Sequence, residues 1–120
     1  MMTPDGKFRK REHILKSRDF RVVYREGLSV KSGPLVLCHK PNGLAHNRLG
    51  FSVSSGNVKP ACRRNRLKRL FREAYRRHRP DMKGASDLVL VAKRALPEKM
   101  AYKDAEALFL RLINIAGLAR

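Results

Sequence analysis

Arg63, Arg64, Arg66, Lys68, Arg69, Arg72, Arg76, Arg77 and Arg79 place nine cations on a stretch whose only acid is Glu73. Phosphate is the chemistry such a set suits, because guanidinium forks grip phosphate oxygens in pairs and successive cations can match successive backbone charges. Between the cations, Leu67, Leu70, Phe71 and Ala74 recur at i, i+3, i+4 and i+7, the spacing of a core-facing helical stripe. That stripe sets Asn65, Lys68, Arg69, Arg72 and Arg76 on the opposite side. Charged helix faces usually mix signs. Here nine positive charges against one negative leave +8 of the chain's net +18, with no i,i+4 Glu-to-Lys lacing expected to offset it. The pattern predicts a polyanionic partner, and at this charge a nucleic acid.

Phe20 and Tyr24 form a second set, one helical turn apart among Arg18, Arg21 and Arg25. Exposed rings flanked by cations stack unpaired bases, which points to RNA rather than duplex DNA. The same spacing also makes a plain core stripe, and both readings stay open. No helix-turn-helix, zinc or zipper signature is present.

Catalytic groups are sparse. The histidines, His13, His39, His46 and His78, are scattered, and no D-x-D or H-x-D spacing offers a magnesium site. His39 and His78 are expected to be ordinary surface residues. Cys38 and Cys62 lack C-x-x-C spacing and paired histidines, which argues against zinc and against a disulfide framework. The residues leave three classes: an RNA-binding subunit whose catalyst lies elsewhere, a ribosomal or RNA-chaperone protein, and, remotely, an autonomous nuclease for which no active site is visible.

At 120 residues with 42% hydrophobic content, the chain reads as a single RNA-binding domain, 1–120, with a flexible basic arm over 1–12. The arm carries Lys7, Arg9, Lys10 and Arg11 and lacks the apolar core of a secretory signal. No apolar run approaches the length of a membrane span. The expectation is a cytoplasmic protein with no membrane partner and no obligate protein partner.

The elements that must position these groups follow from pattern breaks. Ser17 is expected to cap a short helix that carries Phe20, Val23 and Tyr24 and ends at Gly27. Strands are predicted at Leu28 to Lys31, Leu35 to Lys40 and Arg48 to Ser54, the last with Leu49, Phe51 and Val53 alternating. Residues 57 to 60 lead into the basic helix, which Pro80 terminates. Asp87 to Arg94 reads as a buried strand, and Pro97 breaks the chain again. A closing helix from about Lys103 to Ala116 shows Ala105, Leu108, Phe109, Leu112 and Ile115 on its apolar face. The result is an α+β fold, a two-layer sandwich in the order α-β-β-β-α-β-α, with a small mixed sheet packed by helices.

The run Arg64-Asn65-Arg66-Leu67-Lys68-Arg69-Leu70-Phe71-Arg72-Glu73, with Ala61 and Asn57-Val58-Lys59 before it, closely resembles the RNR signature of the bacterial ribonuclease P protein component family. Asp19-Phe20 with Tyr24, Arg48-Leu49-Gly50-Phe51-Ser52-Val53 and Asp87-Leu88-Val89-Leu90-Val91-Ala92-Lys93 resemble further family blocks in the family's order. A lone R-N-R would be weak, whereas this succession is specific. The resemblance implies a protein subunit that joins a catalytic RNA and promotes removal of the 5′ leader from precursor tRNA. It implies Mg2+ held mainly by the RNA subunit and none bound by the protein, and no catalytic residue on this chain. It implies that Arg64, Asn65, Arg66, Lys68, Arg69 and Arg72, with Arg76 on the same face, contact the catalytic RNA. Phe20, Tyr24, Arg18 and Phe51 would then form the leader-binding surface. A left-handed crossover through the basic helix is also implied. The chain departs from the family's pattern at Ser55-Gly56, where many relatives carry two lysines, and at Cys38, where relatives often carry an aromatic.

Overall fold

The computed structural model describes residues 16–52, 61–92 and 100–119. The 1–12 arm, the Ser55-Gly56 pair, the 57–60 lead-in, Lys93, Arg94 and Pro97 lie outside the described residues. The elements run α1 (Ser17–Glu26), β1 (Leu28–Ser32), β2 (Leu35–Pro41), β3 (Arg48–Ser52), α2 (Ala61–His78), β4 (Ser86–Ala92) and α3 (Tyr102–Ala116). This is the expected order, and Pro80 falls in a short 3-10 turn directly after α2.

The strands lie in the order β1-β2-β4-β3, with β4 antiparallel to β2 and parallel to β3. A hairpin cannot join parallel neighbours, so the chain needs a crossover from β3 to β4, and the basic helix supplies it. Register then decides the faces. Leu35 and Leu37 of β2, Leu88 and Leu90 of β4, and Leu49 and Phe51 of β3 align on one side. Leu67, Phe71, Ala74 and Tyr75 of α2 pack there with Ala105, Phe109, Leu112 and Ile113 of α3. Tyr75 meets Phe109 edge-on at 6.4 Å and 83°, a favoured aromatic geometry. The opposite face presents Val89, Cys38 and Val91 to Val23 and Phe20 of α1. The sheet and the α2/α3 layer form the main core, and α1 lies across part of the other face.

Several local expectations change. Ser17 is the first helical residue rather than the cap; extended Lys16 holds the cap position, without a side-chain bond. Gly27 does end α1, but in an extended conformation, φ −85° and ψ 178°. Its missing side chain matters for proximity: a Cβ there would sit 2.5 Å from the His39 carbonyl oxygen and 2.6 Å from that of Val23. Ile115 is 55% exposed, because at about 100° per residue it lies well off the stripe set by Ala105, Phe109 and Leu112, and Ile113 is buried instead. His39 is not a surface residue. It continues the alternation of Leu35 and Leu37 onto the core face and is 7% exposed, and burial lowers its pKa. Among the described residues no helix is long and apolar enough to cross a membrane.

Candidate nucleic-acid interface

The packing of α2 through Leu67, Phe71, Ala74 and Tyr75 leaves its cations around the remaining circumference, and their partners divide the helix in two. In the C-terminal half, Glu73 accepts from Arg76 Nε and Nη2, both at 2.7 Å, and from Arg77 Nε at 3.2 Å. These guanidiniums, Arg76 foremost, hold the Glu73 carboxyl below the usual range, and Glu73 in turn raises the pKa of Arg76. The absence of lacing expected from the sequence is thus corrected: one carboxylate serves i+3 and i+4 together, because a bidentate arginine leaves a lone pair for a second. Arg77 also lies over the Tyr102 ring, 4.6 Å from its centroid. His78 is no plain surface residue either. Its Nε2 lies 2.7 Å from Glu106 Oε2, which also accepts from the Tyr102 hydroxyl at 3.1 Å, so α2 and α3 are tied by a polar network. His78 foremost holds Glu106 below its ordinary value.

The N-terminal half is different. Among the described residues, Asn65, Lys68 and Arg69 have no hydrogen-bond or ion-pair partner, and Asn65 and Arg69 are exposed. The first turn holds no acid, so Arg63, Arg64 and Arg66 face the positive pole of the helix dipole, an arrangement unfavourable in the free protein and favourable once phosphates arrive. Arg66 has a structural tie as well, donating from Nη1 to the Met100 carbonyl at 2.7 Å. Arg72 lies over the Phe51 ring at 5.6 Å, and its buried Nε has no hydrogen-bond partner.

The leader set predicted from sequence does not gather in one place. Phe20 and Tyr24 sit together, centroids 6.4 Å apart and tilted by 46°, with Tyr24 45% exposed and Arg18 and Arg21 exposed beside them. Phe51 is across the sheet, packed on Phe71 at 6.4 Å. Alternation shows that Leu49 and Phe51 share a face; only pairing with Leu88 and Leu90 shows which one.

Sequence reasoning missed the group that seats α1. Arg48 donates from Nε and Nη2 to the two Asp87 oxygens at 2.8 and 2.6 Å and lies 3.7 Å from Asp19 on α1. Asn42 adds a bond to Asp87 at 3.0 Å. The signal was available in the single charged residue near the start of each of two strands, Arg48 and Asp87. Among the described residues there is no group of three or more His, Cys, Asp or Glu placed to hold a metal ion.

The family model described as Ribonuclease P matches residues 8–116. The ribonuclease P protein component of Clostridium botulinum strain Loch Maree is 42% identical over 110 residues, 91% of this chain and 97% of that one. The RNase P protein of Thermotoga maritima superposes with a TM-score of 0.78 at 30% identity, over 88% of this chain and 97% of that one. A Staphylococcus aureus RNase P protein mutant, described as defective in mRNA degradation activity, gives 0.81 at 30% identity over 91% of both chains.

Proposed function

The chain belongs to the family of bacterial ribonuclease P protein components, and from that premise we propose that it divides RNA recognition between two opposed surfaces. It is a subunit of an endoribonuclease whose catalyst is RNA, and it aids removal of the precursor tRNA leader. The N-terminal half of α2 binds the catalytic RNA. Asn65, Lys68 and Arg69 supply free contacts, Arg64 and Arg66 act at the helix start, and Arg72 is levelled by Phe51. Arg76, engaged with Glu73, contributes at the margin. The α1 side, with Phe20, Tyr24 and Arg18, takes the single-stranded leader, bases stacking on the rings and phosphates meeting the cations. Phe51 belongs to the first surface, not the second.

The observation that carries this reading is the charge at Lys68 and Arg69 of α2, without a partner among the described residues, on the other side of the sheet from the exposed ring pair. Magnesium that activates water for phosphodiester attack is held mainly by the RNA, and this chain's part is to screen phosphates and place the leader. The setting is cytoplasmic, and residues 1–120 act as a single RNA-binding domain.

Two variants test the division. Arg69→Ala is expected to weaken binding to the catalytic RNA and to lower the salt slope by about one ion, with leader discrimination intact. Phe20→Ala is expected to spare assembly and weaken binding of precursor over mature tRNA about tenfold. Equal effects of both variants on both measurements would contradict two surfaces.

A further inference from the structure

Beside the crest of α2 lies a pocket of 420 Å³ lined by Arg66, Arg69, Leu70, Glu73, Arg77 and Tyr102. It faces α3 and is distinct from the ring pair on α1 and from the Arg72–Phe51 contact. Its lining joins two chemistries: three guanidiniums and one carboxylate, and an aliphatic and an aromatic wall. We infer that the pocket receives one unpaired nucleotide of the catalytic RNA, its base against Leu70 and the Tyr102–Arg77 stack and its phosphate on Arg66 and Arg69. The inference rests on the assembly with RNA proposed above and adds a specific subsite to it.

The geometry is prepared in advance. Arg77 is held from two directions, with its guanidinium over the Tyr102 ring 4.6 Å from the centroid and its Nε bonded to Glu73 at 3.2 Å. The Tyr102 hydroxyl is anchored on Glu106 at 3.1 Å. A guanidinium lying on a ring is a planar platform on which a base can stack in turn, and base recognition by stacked arginine is common for splayed-out nucleotides. Arg66, bonded to the Met100 carbonyl, keeps donors to spare, since a guanidinium carries five. Arg69, with no partner among the described residues, is free for a phosphate. Charge complementarity selects a polyanion, the apolar wall selects one with an exposed base, and only an unpaired nucleotide offers both.

The test measures binding of the protein to the catalytic RNA across a salt series, together with base-reactivity probing of the RNA in the complex. Tyr102→Phe keeps the ring and loses only the hydroxyl's bond to Glu106, so its loss of affinity should be smaller than that of the alanine variant. Tyr102→Ala should bind roughly tenfold more weakly at an unchanged salt slope, since stacking releases no counterions, and one unpaired nucleotide should become reactive. Arg77→Ala, at an exposed position that does not threaten folding, should unmask the same nucleotide. Unchanged affinity and reactivity in both alanine variants would overturn the inference, as would a loss of protection by Arg77→Ala spread over the whole footprint. If the unsubstituted protein itself failed to bind the catalytic RNA, the assembly reading would fall with it; binding with silent pocket variants would remove the pocket alone.

Discussion

On the proposed division, residues that meet RNA and residues that hold the fold respond to substitution with opposite signs. Asn65 has no partner among the described residues and stands three and four residues before Lys68 and Arg69. Asn65→Asp would create two favourable helical pairs worth about 0.3–0.5 kcal/mol each. It should therefore raise the melting temperature of the free protein by a few degrees while weakening RNA binding several-fold; calorimetry and a binding titration read the two together. Asp87 is the converse case. It accepts from Arg48 and Asn42 and is 7% exposed, so Asp87→Ala leaves the Arg48 guanidinium partly buried without its main partner. A loss of about 3 kcal/mol is expected in denaturant unfolding, with α1 loosened first because Arg48 also reaches Asp19. Gly27→Ala should cost more than 1 kcal/mol for a steric reason, since the new methyl would press on two carbonyl oxygens.

At the scale of elements, falling pH acts through three of the described groups with one sign. Glu73 and Glu106 titrate below the ordinary glutamate value of 4.5 because Arg76 and His78, respectively, bond to them. His39 titrates below 6.5 because it is buried. In each case the unfolded chain binds the proton more readily, so the contribution is intact above the unfolded value and is lost as pH falls through the folded one. Stability should decline first below pH 6.5 and again below 4.5. His39→Gln is expected to flatten the first decline and leave the second, which unfolding titrations at a series of pH values would read.

The same elements show how much was legible in the chain. Strand and helix positions followed from alternation, from the i, i+3, i+4 stripe and from Gly27 and Pro80, because those signals are local. What was not local escaped. The side of the sheet taken by Phe51 depends on register with β4, the burial of His39 on which face of β2 is covered, and the roles of Glu73 and His78 on side-chain reach. The basic helix was recognisable from its cations, yet the pairing of Arg76 and Arg77 with Glu73 required the fold.

Across the whole molecule, a net charge of +18 on one small body is self-repulsive and favours any state in which a polyanion screens it. The core under α2 and α3 holds α2 rigidly by Phe71, Tyr75 and Phe109, so the positive surface is presented as a fixed template rather than a flexible tail. The ring pair on α1 is carried on the other side of the same sheet and clasped to it by Arg48. One partner can thus be held without covering the other surface. On the proposed division, the protein is an adaptor between two RNAs. The most direct measurement is single-turnover cleavage of precursor tRNA by a bacterial catalytic RNA at low magnesium, with and without this protein and with an RNA-free lane. The account predicts faster leader removal when protein joins the RNA and no cleavage of the precursor by the protein alone. Cleavage no faster with the protein bound, or cleavage of the precursor in the RNA-free lane, would contradict it.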